Sequence, residues 1–210
     1  MKLETREVRE KEIEIAAYRL LEEKGFAAAG MQAIARAAKA SNETLYRWYG
    51  DKAGLYRALI ARNANLVRSA LAEGGNRGET GLAVLARLGT VLLSMLLGPR
   101  AIALNRAAAA DDGGTLGRAL AESGRDSVAP WITEVMAEAV AAGEIADPDA
   151  DADHGSRLPE RATEIWLALL IGDLQIRRIT GAIPPLPPEA IDRRSRTALE
   201  MLRRCFPPRG

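Results

Sequence analysis

The sequence predicts an all-α chain of about nine helices. A three-helix helix-turn-helix unit comes first, and a longer helical domain follows it. Three observations predict this. Aromatic residues make up only 4% of the chain against 48% apolar residues overall, and the abundant alanine favours helix. Apolar residues recur at spacings of three and four, and no segment alternates as a strand would. Two short periodic segments between Met31 and Tyr49 flank the break Lys39-Ala40-Ser41, which is helix-turn-helix spacing.

The first helix is expected from about Thr5 to Lys24. Thr5 can cap it, and Glu and Arg alternate at spacings that allow pairing along the helix. Its apolar face is Val8, Ile13, Ala16, Ala17, Leu20 and Leu21, and Gly25 is a stop. The second helix runs from about Met31 to Ala38 after Gly30. The third starts after Ser41, a good cap, and ends near Tyr49. Asp51 caps a fourth from Lys52 to about Ala72. Ile34, Leu45 and Tyr49 are expected in the core.

Residues 73–78 read as a loop, and a long apolar helix continues to Leu97. Gly98 ends it, and Pro99 suits the first position of the sixth helix. Residues 111–114 break the chain again. The pattern is helical from Thr115 to Ala142, with Pro130 expected to kink or divide it. Residues 143–157 form an acidic loop, Leu158 to Thr180 one helix, and 183–188 a stiff proline-rich connector. A last helix spans Glu189 to Cys205. Residues 1–52 are expected to form the first domain and 53–210 the second.

Lys and Arg number 29 against 28 Asp and Glu, for a net charge of +1, so any basic surface is local. Between Met31 and Ile60 stand Arg36, Lys39, Arg47, Lys52 and Arg57 against Glu43 and Asp51, a local net of +3. That asymmetry points to an anionic partner. The single cysteine, Cys205, permits no intrachain disulfide, and a cytoplasmic location is expected. The longest apolar run, Ile165 to Ile171, is too short to span a bilayer, so no membrane partner is expected.

The third helix is half core and half hydrogen-bonding surface. Asn42, Thr44, Tyr46, Arg47 and Trp48 lie off its apolar stripe, an arrangement suited to a DNA major groove. Asn42 can read adenine through a bidentate amide or simply sit in the first turn. Gln32, at the start of the second helix, and Lys52, at the start of the fourth, are placed to touch phosphate. Trp48 either meets DNA or packs on the fourth helix. A solvated helix face is the plainer alternative for the whole set.

Glu23-Lys24-Gly25-Phe26, Ile34-Ala35, Ser41 and Thr44-Leu45-Tyr46 resemble the tetracycline-repressor (TetR-like) family of bacterial regulators. The spacing to Tyr49, Lys52 and Leu55 matches as well. The resemblance covers roughly residues 8–60 and is specific in combination. It implies a homodimer that binds a near-palindromic double-stranded DNA operator and is released by a small-molecule effector, most often as a repressor. It places Thr44, Tyr46 and Arg47 toward DNA, with Ser41 beside them. It also implies a dimer seam in the last two helices, for which Trp166, Leu169, Leu170, Asp173, Ile176 and Met201 are candidates. Three departures stand out: Lys39 where the family turn commonly has Gly, Glu43 at a position often small or basic, and Gly30 in place of a hydroxyl cap.

Met95, Leu104, Trp131 and Trp166 lie in helices that would surround a pocket, with Asn105 and Arg106 as polar contacts. Plain core is the alternative for each. So few polar groups suggest a mostly apolar effector. No cofactor is expected. Asp149, Asp151, Asp153 and Glu160 mimic calcium-loop spacing, but His154 stands where glycine is needed, so no metal is expected. One His and one Cys far apart supply no catalytic triad or zinc centre, so no catalytic residue is expected. The alternative function is a small-molecule carrier or sensor with a vestigial DNA-binding head.

Overall fold

The helices stop where the sequence supplies stops, with four exceptions. The computed structural model describes residues 2–76, 78–148 and 157–208. In order they form α1 (Lys2–Ala28), α2 (Met31–Ala37), α3 (Asn42–Tyr49), α4 (Lys52–Asn76), α5 (Gly81–Leu97), α6 (Pro99–Ala109), α7 (Thr115–Leu120), a π turn (Ala121–Arg125), α8 (Asp126–Ala141), α9 (Leu158–Ile171), α10 (Leu174–Thr180) and α11 (Pro188–Cys205). No strand occurs among the described residues, and the fold is all-α.

The exceptions have physical causes. Helical hydrogen bonding resumes past Gly25, whose φ of 71° kinks α1 at the expected stop. Helix α4 continues four residues beyond Ala72 to Asn76. Pro130 lies inside α8 without ending it. The chain instead widens upstream, at Ala121–Arg125, where a π turn absorbs a misfit between helical segments. The expected helix from Leu158 to Thr180 breaks at Gly172, with φ 49° and ψ −132°. The Leu170 carbonyl at that break accepts a hydrogen bond from Arg194 Nε of α11 at 3.0 Å. These two breaks raise the helix count above nine.

Contacts divide the chain into two units. The first comprises Met1–Asn63 and Pro99–Gly124, and the second Ala64–Gly98 and Arg125–Gly210. The first is built around Ile13 and Ala17 of α1, Ile34 of α2, Leu45 of α3, Leu55 and Tyr56 of α4, Leu104 of α6 and Leu116 of α7, all essentially inaccessible. Burial of each large apolar side chain contributes about 1.5–3 kcal/mol. Val8, expected on the apolar face of α1, is instead 55% exposed. Glu14 is buried on α1 and pairs with Arg62 Nη1 of α4 at 3.0 Å and Arg100 Nη1 of α6 at 2.5 Å. A buried carboxylate requires such partners. This tie accompanies the packing of α6 on α1 within the first unit.

The second unit packs α5, α8, α9 and α11 around Leu85, Leu88, Ile132, Met136, Ala162, Trp166, Leu170 and Leu202. Helix α5 starts at a residue whose own hydroxyl makes no cap: Thr80 makes no side-chain hydrogen bond there. Glu144, distant in sequence, accepts from the Leu82 N–H at 2.7 Å. Among the described residues no single helix is long and apolar enough to cross a membrane.

Candidate nucleic-acid interface

Helix α3 buries one residue, Leu45. Its N-terminus is capped by Ser41, whose Oγ accepts from the Thr44 N–H at 3.0 Å and shares a hydrogen with Thr44 Oγ1 at 2.8 Å. A hydroxyl acceptor there satisfies one of the donors that every helix start leaves open. Capping fixes the start of α3 and thereby the direction of the side chains that follow. Asn42, Tyr46 and Arg47 are exposed, Thr44 and Trp48 half-buried. Tyr46 is 51% exposed, an unusual setting for a large ring with nothing over it.

Glu43 and Arg47 stand one turn apart, with 3.8 Å between Oε1 and Nη1 and both side chains in solvent. Such a pair is weak and readily given up to a phosphate. Gln32 is exposed in the first turn of α2. Trp48 is edge-on to Tyr49 at 6.4 Å between centroids, and the Arg6 guanidinium lies 5.2 Å from its ring. It thus packs within its own unit and lends a partly exposed edge to the surface.

Lys52 points inward. Its Nζ donates to the Phe26 carbonyl and, at 3.2 Å, to that of Ala27, and it lies 3.9 Å from the centroid of the Phe26 ring. Partial burial lowers its pKa, and Asp111 raises it in part. The ammonium closes the C-terminal end of α1, where carbonyls lack partners. Nothing in the local sequence around Lys52 signalled this use.

The turn between α2 and α3 carries a conformational penalty. Lys39 has φ 51°, the one non-glycine residue with positive φ among those described. Arg9 Nη1 lies 3.4 Å from both the Ala38 and Lys39 carbonyls and helps hold the turn. The α3–α4 junction is tighter still. A Cβ built on Gly54 would lie 2.0 Å from the Tyr49 carbonyl oxygen, so only glycine fits where α4 leaves α3. The Gly54 N–H donates to Asp51 Oδ1 at 2.6 Å, the cap expected of Asp51.

The distal residues fall in different places. Leu104 belongs to the core of the first unit, and Asn105 Nδ2 donates to the Ala101 carbonyl of its own helix at 2.8 Å. Arg106 is exposed on the same helix. Trp166 lies fully buried in the core of the second unit, and Met95 packs half-buried against that core. Trp131 alone of the six lines the cavity found in the second unit. That cavity has a volume of about 460 Å³ and lies among α4, the following loop, α5 and α8. Of the seam candidates, Trp166 and Leu170 are inaccessible and Leu169 is half-buried. Asp173, Ile176 and Met201 are exposed. The aspartate run from Asp149 to Asp153 and His154 lie outside the described residues.

The family described as bacterial regulatory proteins, tetR family, matches residues 15–59. That match spans α2, the turn and α3. The AefR-like transcriptional repressor C-terminal domain matches residues 83–207. The chain belongs to the tetR family of bacterial regulatory proteins. Members of this family are DNA-binding transcriptional regulators. No curated protein sequence matches this TetR-family chain. Its fold is shared with solved structures. One is a tetR-family structure from Mesorhizobium loti, 21% identical, covering 94% of this chain and 96% of that one, with a TM-score of 0.72. A TetR transcriptional regulator from Agrobacterium tumefaciens is 26% identical over 94% of each chain, with a TM-score of 0.68. The flavonoid-responsive regulator FrrA is 25% identical over 96% of this chain and 98% of that one, with a TM-score of 0.65.

Proposed function

We propose that this TetR-family chain is a homodimeric repressor that binds a near-palindromic DNA operator and releases it when a small molecule binds the second unit. One observation carries the reading. Helix α3 buries Leu45 and leaves Asn42, Tyr46 and Arg47 exposed. In a major groove, Arg47 grips guanine or a phosphate, Asn42 reads adenine, and Tyr46 donates its hydroxyl to the backbone. Gln32, Ser41, Thr44 and the exposed edge of Trp48 support them. Lys52 is left out of this set, because its ammonium is held by α1. Glu43 accepts from a cytosine N4 or yields its arginine to phosphate.

Exposed Ile176 and Met201, with Leu169 and Asp173 nearby in sequence, supply the seam on α9 to α11, since apolar residues left in water favour a partner. Two copies then present α3 to successive major grooves about 34–36 Å apart. Ligand release follows only from unequal affinity for two arrangements of the dimer. That a 25%-identical relative is flavonoid-responsive supports a small-molecule effector. The residues offer regulation rather than catalysis.

Footprinting the DNA flanking the chain's own gene tests this reading. Salt-sensitive protection of a near-palindrome is expected, because bound phosphates release counterions. Ligand binding with no protection at any salt would favour the carrier reading instead.

A further inference from the structure

The cavity of the second unit has one wall that is aromatic and acidic. Trp131, Glu134 and Glu138 line it from α8, at positions three and seven residues apart that share one face of a helix. Leu71 and Val84 supply apolar floor from α4 and α5, and Val135 from α8. Glu79, from the loop between α4 and α5, lines it too, but its carboxylate accepts from Arg87 Nε at 3.0 Å. Glu134 and Glu138 pair with no cation among the described residues. Two carboxylates without an ion-pair partner among those residues thus stand, with the Arg68 guanidinium, around an aromatic ring at the mouth of a partly apolar hollow.

The ring already holds an organic cation. The Arg68 guanidinium of α4 lies 5.7 Å from the Trp131 centroid, within the range in which a ring face attracts positive charge. Arg68 is exposed, so a planar cation of similar charge can replace it on the indole at little loss. The hollow, about 460 Å³, is of the size that small ligands fill.

We propose that this cavity is the effector site and that it takes amphipathic organic cations: a flat apolar body that enters over Trp131 and a positive charge held by Glu134 and Glu138. The inference rests on the reading that the second unit binds an effector. The charge requirement goes beyond that reading.

Titration calorimetry on the full chain without DNA tests it, with proflavine as the planar cation and acridine-9-carboxylate as its anionic counterpart. Saturable proflavine binding is expected, with the anion at least about tenfold weaker. Glu134→Gln with Glu138→Gln lies on an exposed face and leaves folding intact. It is expected to weaken proflavine by about tenfold or more, with less effect on the anion. Trp131→Leu is expected to weaken both. Tighter binding of the anion, no saturable binding of proflavine, or equal proflavine affinity in the double glutamine variant would each overturn the proposal. A footprint that survives while proflavine fails to bind would discard the ligand class and leave the DNA-binding reading standing.

Discussion

The candidate DNA surface of the first unit comes, but for Gln32 of α2, from a single eight-residue helix and its cap. The cavity of the second unit draws its lining from Arg68 to Glu138, across three helices and a loop. The first is a local object: one period, one cap and one buried leucine decide what faces outward. The second exists only after α4, α5 and α8 have packed. The two regions should therefore respond differently to substitution. Errors in the first act through backbone geometry, and errors in the second are absorbed by side chains that can move.

The largest contrast is between two glycines. In the first unit, Gly54→Ala drives a methyl into the Tyr49 carbonyl oxygen at 2.0 Å. A backbone atom cannot swing away, so a loss of about 3 kcal/mol is expected in urea unfolding. In the second unit, Gly89→Ala meets Ser195 Oγ at 2.3 Å, a hydroxyl that also donates to the Ala86 carbonyl at 3.2 Å. Rotating it away sacrifices one hydrogen bond, and Ser195 Cβ and Trp166 Cζ2, each 3.3 Å from the new methyl, must also give slightly, so a loss of about 1–2 kcal/mol is expected. Equal losses at both glycines would show that the helix junction is as pliable as the core.

Next comes the charge cluster of the first unit. Glu14→Gln leaves Arg100 facing a neutral amide and leaves Arg62 with its second partner, Glu10 at 2.9 Å. Both arginines are more than a third exposed, so the loss is expected near 1–2 kcal/mol by urea unfolding, below the range for fully buried pairs. No loss would mean that the ion pair adds nothing to the other contacts of α6 with α1, among them Arg100 over the Tyr18 ring at 5.4 Å.

How much of this was legible in the sequence follows the same divide. The all-α class, the caps at Ser41 and Asp51 and the buried Leu45 follow from short-range rules of period and hydrogen bonding. The concern about Lys39 came instead from the resemblance, because the family turn commonly has Gly at that place and Lys39 indeed has φ 51°. Lys52 was harder to read. Its ammonium serves carbonyls at Phe26 and Ala27, and no local pattern announces so distant a partner. The placement of Leu104 in the first unit likewise depends on α6 packing against α1. Sequence periodicity marked Leu104 as apolar but could not say which core would receive it. The cavity lining had one local sign, the Trp131–Glu134–Glu138 spacing, which is meaningful only once α4 closes over it.

A pH effect sharpens the comparison at smaller amplitude. Burial pushes the Tyr18 phenol up to about 12, offset in part by a hydrogen bond from Asn63. The unfolded chain ionises near 10. The folded state favours the neutral phenol, so its contribution is complete below pH ~10 and is lost as pH rises toward ~12. Stability of the first unit should fall over that window, and Tyr18→Phe should make the fall shallower. An unchanged slope would reassign the alkaline loss to Tyr56, whose pKa burial also raises.

The smallest effect is a gain. Lys39→Gly removes the left-handed strain at φ 51° and is expected to stabilise the first unit by about 1 kcal/mol in thermal or urea unfolding. Destabilisation instead would show that the lysine side chain contributes more than its backbone strain costs.

The central claim is that α3 reads DNA, and fluorescence anisotropy on the footprinted operator tests it most directly. Tyr46→Ala with Arg47→Ala should leave the melting curve and dimer mass unchanged, because both side chains are exposed. It should weaken operator binding by about 100-fold at fixed salt. Binding of the double variant equal to that of the parent would contradict the account.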